Sequence, residues 1–162
     1  LILPGVGHFD RGMEALNASG LVPVLNELGA GEGKPVLGIC LGMQLMTKGS
    51  EEGTERGLGW VDAWTKRFPA GNGLKVPHMG WSPVRPQREN ALIPPSEEEQ
   101  RFYFVHSYYV TCDRPEDVVA SAEHGVPFVA ALQRDRLFGV QFHPEKSHRF
   151  GLALMQRFIA QC

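Results

Sequence analysis

Gly38-Ile39-Cys40-Leu41-Gly42-Met43-Gln44 places one cysteine at the end of the apolar run Pro35-Val36-Leu37-Gly38-Ile39, between two glycines. The run is short and bounded by Gly33 and Lys34, so residues 35–39 read as a buried strand of a parallel sheet and residues 41–48 as the helix that follows. A strand-to-helix turn with glycines on either side is how a nucleophile elbow is built. The side chain leaves a strained turn, and the next backbone N–H faces the substrate. A helix N-terminus beneath the sulfur favours thiolate, the attacking species. A lone cysteine is equally at home as a small buried hydrophobe, so these residues alone leave both roles open.

A base and its orienter are found near the other end of the chain, in Gln141-Phe142-His143-Pro144-Glu145 after the apolar run Leu137-Phe138-Gly139-Val140. In extended backbone, residues two apart project to the same side, so His143 and Glu145 can lie together with Pro144 stiffening the segment. A carboxylate on one imidazole nitrogen fixes the tautomer and leaves the other free to take a proton from a thiol. The plainer alternative is a turn with a solvated His143 and a Glu145 that caps the next helix. Leu3-Pro4-Gly5-Val6-Gly7 is either a strand-ending turn or, because glycine lets backbone approach a ligand, a source of N–H groups for an oxyanion.

Taken together in this order, the three motifs resemble those of class I, triad-type glutamine amidotransferases. The resemblance implies Cys40 as nucleophile, His143 and Glu145 as base and orienter, and an oxyanion site from Gly5, Val6, Gly7 and the N–H of Leu41. It further implies that Gln44, Glu52, Ser107 and Tyr108, with Gly7, hold the glutamine head group. Gln44 lies one helical turn past Cys40, which suits a shared pocket; Glu52, in Ser50-Glu51-Glu52-Gly53, also reads as a solvated turn. Val76-Pro77-His78-Met79-Gly80-Trp81 and Phe102-Tyr103-Phe104-Val105-His106-Ser107-Tyr108 are similar to the glutaminase subunits of imidazole glycerol phosphate synthases. That implies a (β/α)8-barrel cyclase partner receiving ammonia, with Met79, Trp81, Tyr103 and Lys146 at the junction. Apart from the resemblance, Trp81 and Tyr103 read as core and Lys146 as solvated charge. Ser82 stands where the family commonly carries Asn. Other amidotransferases of the class, a free-standing cysteine hydrolase and a scaffold domain are the competing readings; a scaffold would usually lack part of the triad.

Composition fits an intracellular enzyme. The chain has 162 residues, 16 basic and 18 acidic, and a net charge of −2, which gives no reason to invoke nucleic acid or an anionic membrane. Its apolar runs stop well short of the roughly 20 residues a membrane helix needs. Cys40, Cys112 and Cys162 are widely spaced and lack CxxC or Cys/His metal spacing, so neither a disulfide framework nor a zinc site is suggested, and a reducing cytoplasm suits a free thiol; no cofactor is expected.

The implied fold is α/β in three layers: a mostly parallel central sheet with helices on both faces, plus a region of antiparallel strands. Leu21, Val24, Leu25 and Leu28 are spaced as the core stripe of a helix, with Pro23 in its first turn. Strands are expected over 74–84, 101–111, 118–123, 128–134 and 137–142, with the tightest turn at Asp135. Phe150, Leu154, Met155, Phe158 and Ile159 mark one face of a closing helix, and residues 90–100 read as a solvated loop. The chain opens on Leu1-Ile2-Leu3, without methionine and apparently inside a strand. The family places a strand, a helix and another strand before this point, so one N-terminally incomplete domain over 1–162 is expected.

Overall fold

A computed structural model describes residues 1–29, 33–69, 71 and 73–161. The side chain of Leu28 and the whole of Cys162 lie outside the described residues. The elements in chain order are β1 (Ile2–Gly5), α1 (Phe9–Ala18), α2 (Val22–Gly29), β2 (Val36–Cys40), α3 (Leu41–Leu45), β3 (Ala63–Arg67), β4 (His78–Pro83), β5 (Arg85–Pro86), β6 (Arg101–His106), β7 (Tyr108–Cys112), β8 (Val118–His124), β9 (Val126–Arg134), β10 (Leu137–Val140) and α4 (His148–Ile159). Single 3-10 turns span Pro115–Asp117 and Pro144–Lys146.

The main sheet runs β1-β2-β10-β9-β7-β3, with β8 against β9 and β5 against β8. Among the described residues, the parallel strand pairs of this sheet are β1–β2 and β2–β10. The remaining pairings in this sheet are antiparallel, so it is mixed rather than mostly parallel. The reason is local: Arg134 pairs with Leu137, leaving a tight turn in which Asp135 takes φ 52°, and so short a connection can join only antiparallel strands.

Strand β2 alternates between two helical layers. Leu37 and Ile39 pack with Phe138, Val140 and the α4 residues Leu154 and Phe158. Val36 faces the other way, with Leu137, Met43 of α3 and Met46 just after it. Outside α3, helix α1 buries Phe9 and Met13 against Leu41 and Leu45. A separate ribbon, β4–β6, carries Phe104 into the α4-side core, where its ring meets Phe128 edge-on at 5.6 Å.

Several expected boundaries move. The helix expected over 41–48 ends at Leu45, because backbone N–H groups from the following loop take its last carbonyls: Leu58 bonds Leu45 at 2.8 Å and Trp60 bonds Met46 at 3.0 Å. The strand expected over 101–111 breaks at Ser107 into β6 and β7, which join different sheets. In α2 only Leu25 of the expected stripe is shown buried, while Leu21 and Val24 are both 54% exposed. In α4, Ile159 is exposed although Leu154 and Phe158 are core. The loop at 90–100 is irregular as expected, but Leu92 and Ile93 are buried; the Asn90 carboxamide oxygen accepts both their N–H groups and turns them inward.

Candidate active site

Cys40 sits where β2 gives way to α3, at φ 52° and ψ −109°, a conformation non-glycine residues avoid. The flanking glycines permit the close fit. A Cβ on Gly42 would lie 1.7 Å from the Leu3 carbonyl oxygen, and one on Gly38 would lie 2.8 Å from the Met43 backbone. Helix α3 therefore presses against both β1 and β2, and Cys40 is pushed out at the turn. Burial, not the helix end, dominates the thiol: desolvation pushes its pKa up to about 11, opposed by the Leu41 N–H bonded to the sulfur. The expectation that the helix N-terminus would favour thiolate is corrected accordingly; α3 has only five residues and the sulfur is enclosed.

His143 follows β10, the parallel neighbour of β2. Its backbone is fixed to β6: His143 N–H donates to Tyr103 O at 2.9 Å, while Ser147 Oγ donates to His143 O at 2.6 Å and accepts from Tyr103 N–H at 3.0 Å. The Nδ1 of His143 lies 2.7 Å from Glu145 Oε1. A carboxylate can only accept, so Nδ1 carries the proton and Nε2 holds the free lone pair. Nε2 is buried and has no hydrogen-bond partner among the described residues. Glu145 itself is more than half exposed, at 57% of its side chain.

Cys40 and His143 open on one cavity of about 340 Å³, lined also by Val6, Gly7, Leu41, Gln44, Glu52, Pro77, Val105, His106, Ser107 and Tyr108. Every residue expected at the glutamine head group is thus in its wall. Gly5 stands beside Cys40 in the β1–β2 register, and Gly7 adopts φ 105°, open to glycine. Glu52 is held at the rim by reciprocal bonds with the start of α1: its Oε2 accepts Phe9 N–H at 2.8 Å, while the Asp10 carboxylate accepts Thr54 and Glu55 N–H at 3.0 Å each. It is no free-standing solvated turn. Gln44 does not point into open space; its Nε2 donates to Tyr108 O at 3.0 Å and to Gln141 Oε1 at 3.1 Å.

Met79 and Trp81 project from the same face of β4 and are 63% and 42% exposed. The Tyr103 ring lies 6.2 Å from Trp81, edge-on, and Lys146 Nζ lies 5.8 Å from the Tyr103 centroid. All four expected junction residues share one corner of the molecule, on the far side of the ribbon from its buried His78.

The model of the class I glutamine amidotransferases matches residues 1–162. The chain belongs to that family. Curated relatives include imidazole glycerol phosphate synthase subunit HisH 2 of Pseudomonas aeruginosa, 52% identical over 98% of this chain and 79% of the relative. Subunit HisH of Leptospira interrogans is 47% identical over 99% and 80%. Among solved structures, a glutamine amidotransferase superposes with a TM-score of 0.69 at 18% identity, covering 99% of this chain and 77% of that one. Another from Thermotoga maritima gives 0.63 at 21%, covering 98% and 60%. These two likenesses establish the fold.

Within this amidotransferase chain, the sequence reading left Gln141, His78 and His106 without a role. Gln141 is fully buried and its Nε2 reaches Cys40 Sγ at 3.8 Å. Its place directly before Phe142-His143 was the available signal, since a residue after an apolar strand end can be turned toward the same pocket. His78 and His106 are buried 3.1 Å apart, and nothing in either segment alone announces that they meet. No helix of the described residues is long and apolar enough to cross a membrane.

Proposed function

We propose that the chain is the glutaminase subunit of an imidazole glycerol phosphate synthase, hydrolysing the side-chain amide of glutamine and delivering ammonia to a cyclase subunit built as a (β/α)8 barrel. The observation that carries the chemistry is the unpartnered, buried Nε2 of His143 in the cavity of Cys40, with Nδ1 occupied by Glu145. Cys40 Sγ attacks the amide carbon as its proton passes to His143 Nε2. The proton then goes to the departing nitrogen, the C–N bond breaks, and ammonia leaves a thioester on Cys40. Water, deprotonated by the same Nε2, cleaves the C–S bond to release glutamate and restore the thiol. Glu145 keeps the imidazole in the tautomer that can accept.

The tetrahedral oxygen needs donors placed in advance. The Leu41 N–H, now on the sulfur, the backbone of Val6 and Gly7 at the cavity wall, and Gly5 beside Cys40 in the strand register are the groups available. Gln44, Glu52, Ser107 and Tyr108 are assigned to the glutamine head group, and the cavity's size suits an amino acid rather than a large ligand. Met79, Trp81, Tyr103 and Lys146 form the face for the cyclase. The relatives' subunit names support a partner, and a thiol raised to about 11 supports weak basal turnover without one. Ammonia released into bulk water would be protonated, so a protected route to the partner suits the reaction. A reducing, cytoplasmic setting suits the free thiol.

The decisive experiment measures glutamate and ammonia release by the full-length protein, wild type and Cys40→Ser, with and without the cyclase and its nucleotide ligand. Turnover that requires both Cys40 and the cyclase supports the assignment. Turnover dependent on Cys40 but indifferent to the cyclase would make this a free-standing hydrolase.

A further inference from the structure

Two buried histidines and the half-buried Ser82, all outside the proposed Cys-His-Glu set, form an ordered chain of hydrogen bonds that ends at the glutamine cavity. His106 Nδ1 lies 2.7 Å from Tyr108 O, and a carbonyl only accepts, so Nδ1 carries the proton. In the neutral ring, Nε2 must then accept from His78 Nδ1 at 3.1 Å. His78 Nε2 in turn accepts, and its partner at 2.8 Å is the Ser82 hydroxyl. One observation at Tyr108 therefore sets every donor back to the strand that carries Met79 and Trp81.

From Tyr108 the bonding continues inward. The same carbonyl accepts Gln44 Nε2 at 3.0 Å, Gln44 Nε2 also reaches Gln141 Oε1 at 3.1 Å, and Gln141 Nε2 reaches Cys40 Sγ at 3.8 Å. We propose that Ser82, His78 and His106 are positioning residues that fix the Tyr108 carbonyl and, through it, the Gln44 wall of the glutamine cavity. This rests on the glutaminase reading above. The rings are held in place by packing: His78 stacks on Phe104 at 4.8 Å and on His124 at 4.3 Å, and Phe68 leans on His106 at 5.2 Å. Burial keeps both neutral near pH 7, His78 falling to about 4 and His106 to about 3, and the neighbouring His124 opposes protonation of either. Protonating His106 would make both its nitrogens donors. His78 would have to accept on Nδ1 and donate from Nε2, reversing the chain.

The test compares wild type, Ser82→Ala and Ser82→Thr as full-length protein at saturating cyclase, with glutamine varied. Ser82→Ala leaves His78 Nε2 without its donor; glutamine KM should rise roughly two- to tenfold at nearly constant kcat, and Ser82→Thr, which keeps the hydroxyl, should restore it. Loss of folded protein would lower kcat instead, and loss of partner affinity is removed by saturation. Histidine-selective nitrogen NMR of the same protein should find His78 and His106 both protonated on Nδ1. An unchanged KM in Ser82→Ala, or either ring protonated on Nε2, overturns the proposal. Should wild type release no ammonia from glutamine, the glutaminase reading fails, and the tautomers decide the chain by themselves.

Discussion

At the scale of single residues the proposed site combines a candidate base, oriented by a carboxylate, with a candidate nucleophile that is protonated at rest. Burial holds the Cys40 thiol at about 11, so without partner or substrate the thiolate fraction at neutral pH is below that of a free cysteine. Alkylation by iodoacetamide should accordingly be slow near pH 7.5 and climb toward pH 11; a plateau below pH 8 would show that Cys40 is already ionised. In the proposed mechanism Glu145 acts through the His143 tautomer, so Glu145→Ala should reduce kcat by about 100-fold, at the lower end for acid–base assistance because this carboxylate is more than half exposed. Measuring kcat and KM separately checks this, since KM should hardly move. The residues proposed for this chemistry could be picked out in the sequence because each lies in a contiguous motif: Cys40 between glycines, His143 and Glu145 around Pro144. His78 and His106 could not, because their meaning lies in a bond across 28 residues.

Among the elements, the fit of α3 against two strands is what makes the elbow. Gly42→Ala drives a methyl into the Leu3 carbonyl and should destabilise the fold by about 1–3 kcal/mol, read as a lower urea midpoint. The spacing of apolar residues recovered α2, α4 and strands β8 to β10, but helix α1 and strand β3 drew no expectation. In α1, Phe9 and Met13 do fall at helical spacing, yet Gly12 interrupts the pattern; Gly12 is needed there because a Cβ would meet Leu41 and Leu45 at 3.2 Å. Strand β3 turns Ala63 and Thr65 inward and leaves Trp64 44% exposed, which inverts the usual alternation. Helix α2 shows the opposite failure, a clear stripe of which Leu21 and Val24 meet no core.

In the molecule as a whole, His78 and His106 are buried inside. Unfolded histidine titrates near 6.5, whereas His78 and His106 do so at about 4 and 3, so the unfolded chain binds more protons throughout this window. Stability from these groups is complete above about pH 6.5 and drains away as pH falls toward 3, by up to about 1.4 kcal/mol per unit for each ring. Urea midpoints followed from pH 7.5 to 4 should decline accordingly; a flat profile would mean that the rings are already charged in the folded protein. On the outer face, Trp81→Ala should weaken cyclase binding by about 1 kcal/mol or more in titration calorimetry, because exposed aromatic side chains at such a face concentrate binding energy. The pairing of β2 with β10 has a further consequence in time. It brings Gln141 to Cys40 across 101 positions of sequence, so the site exists only after one of the longest loops in the chain has closed. Helices and hairpins form faster than such closures, and on refolding from urea the far-ultraviolet signal should return before any glutamine is hydrolysed.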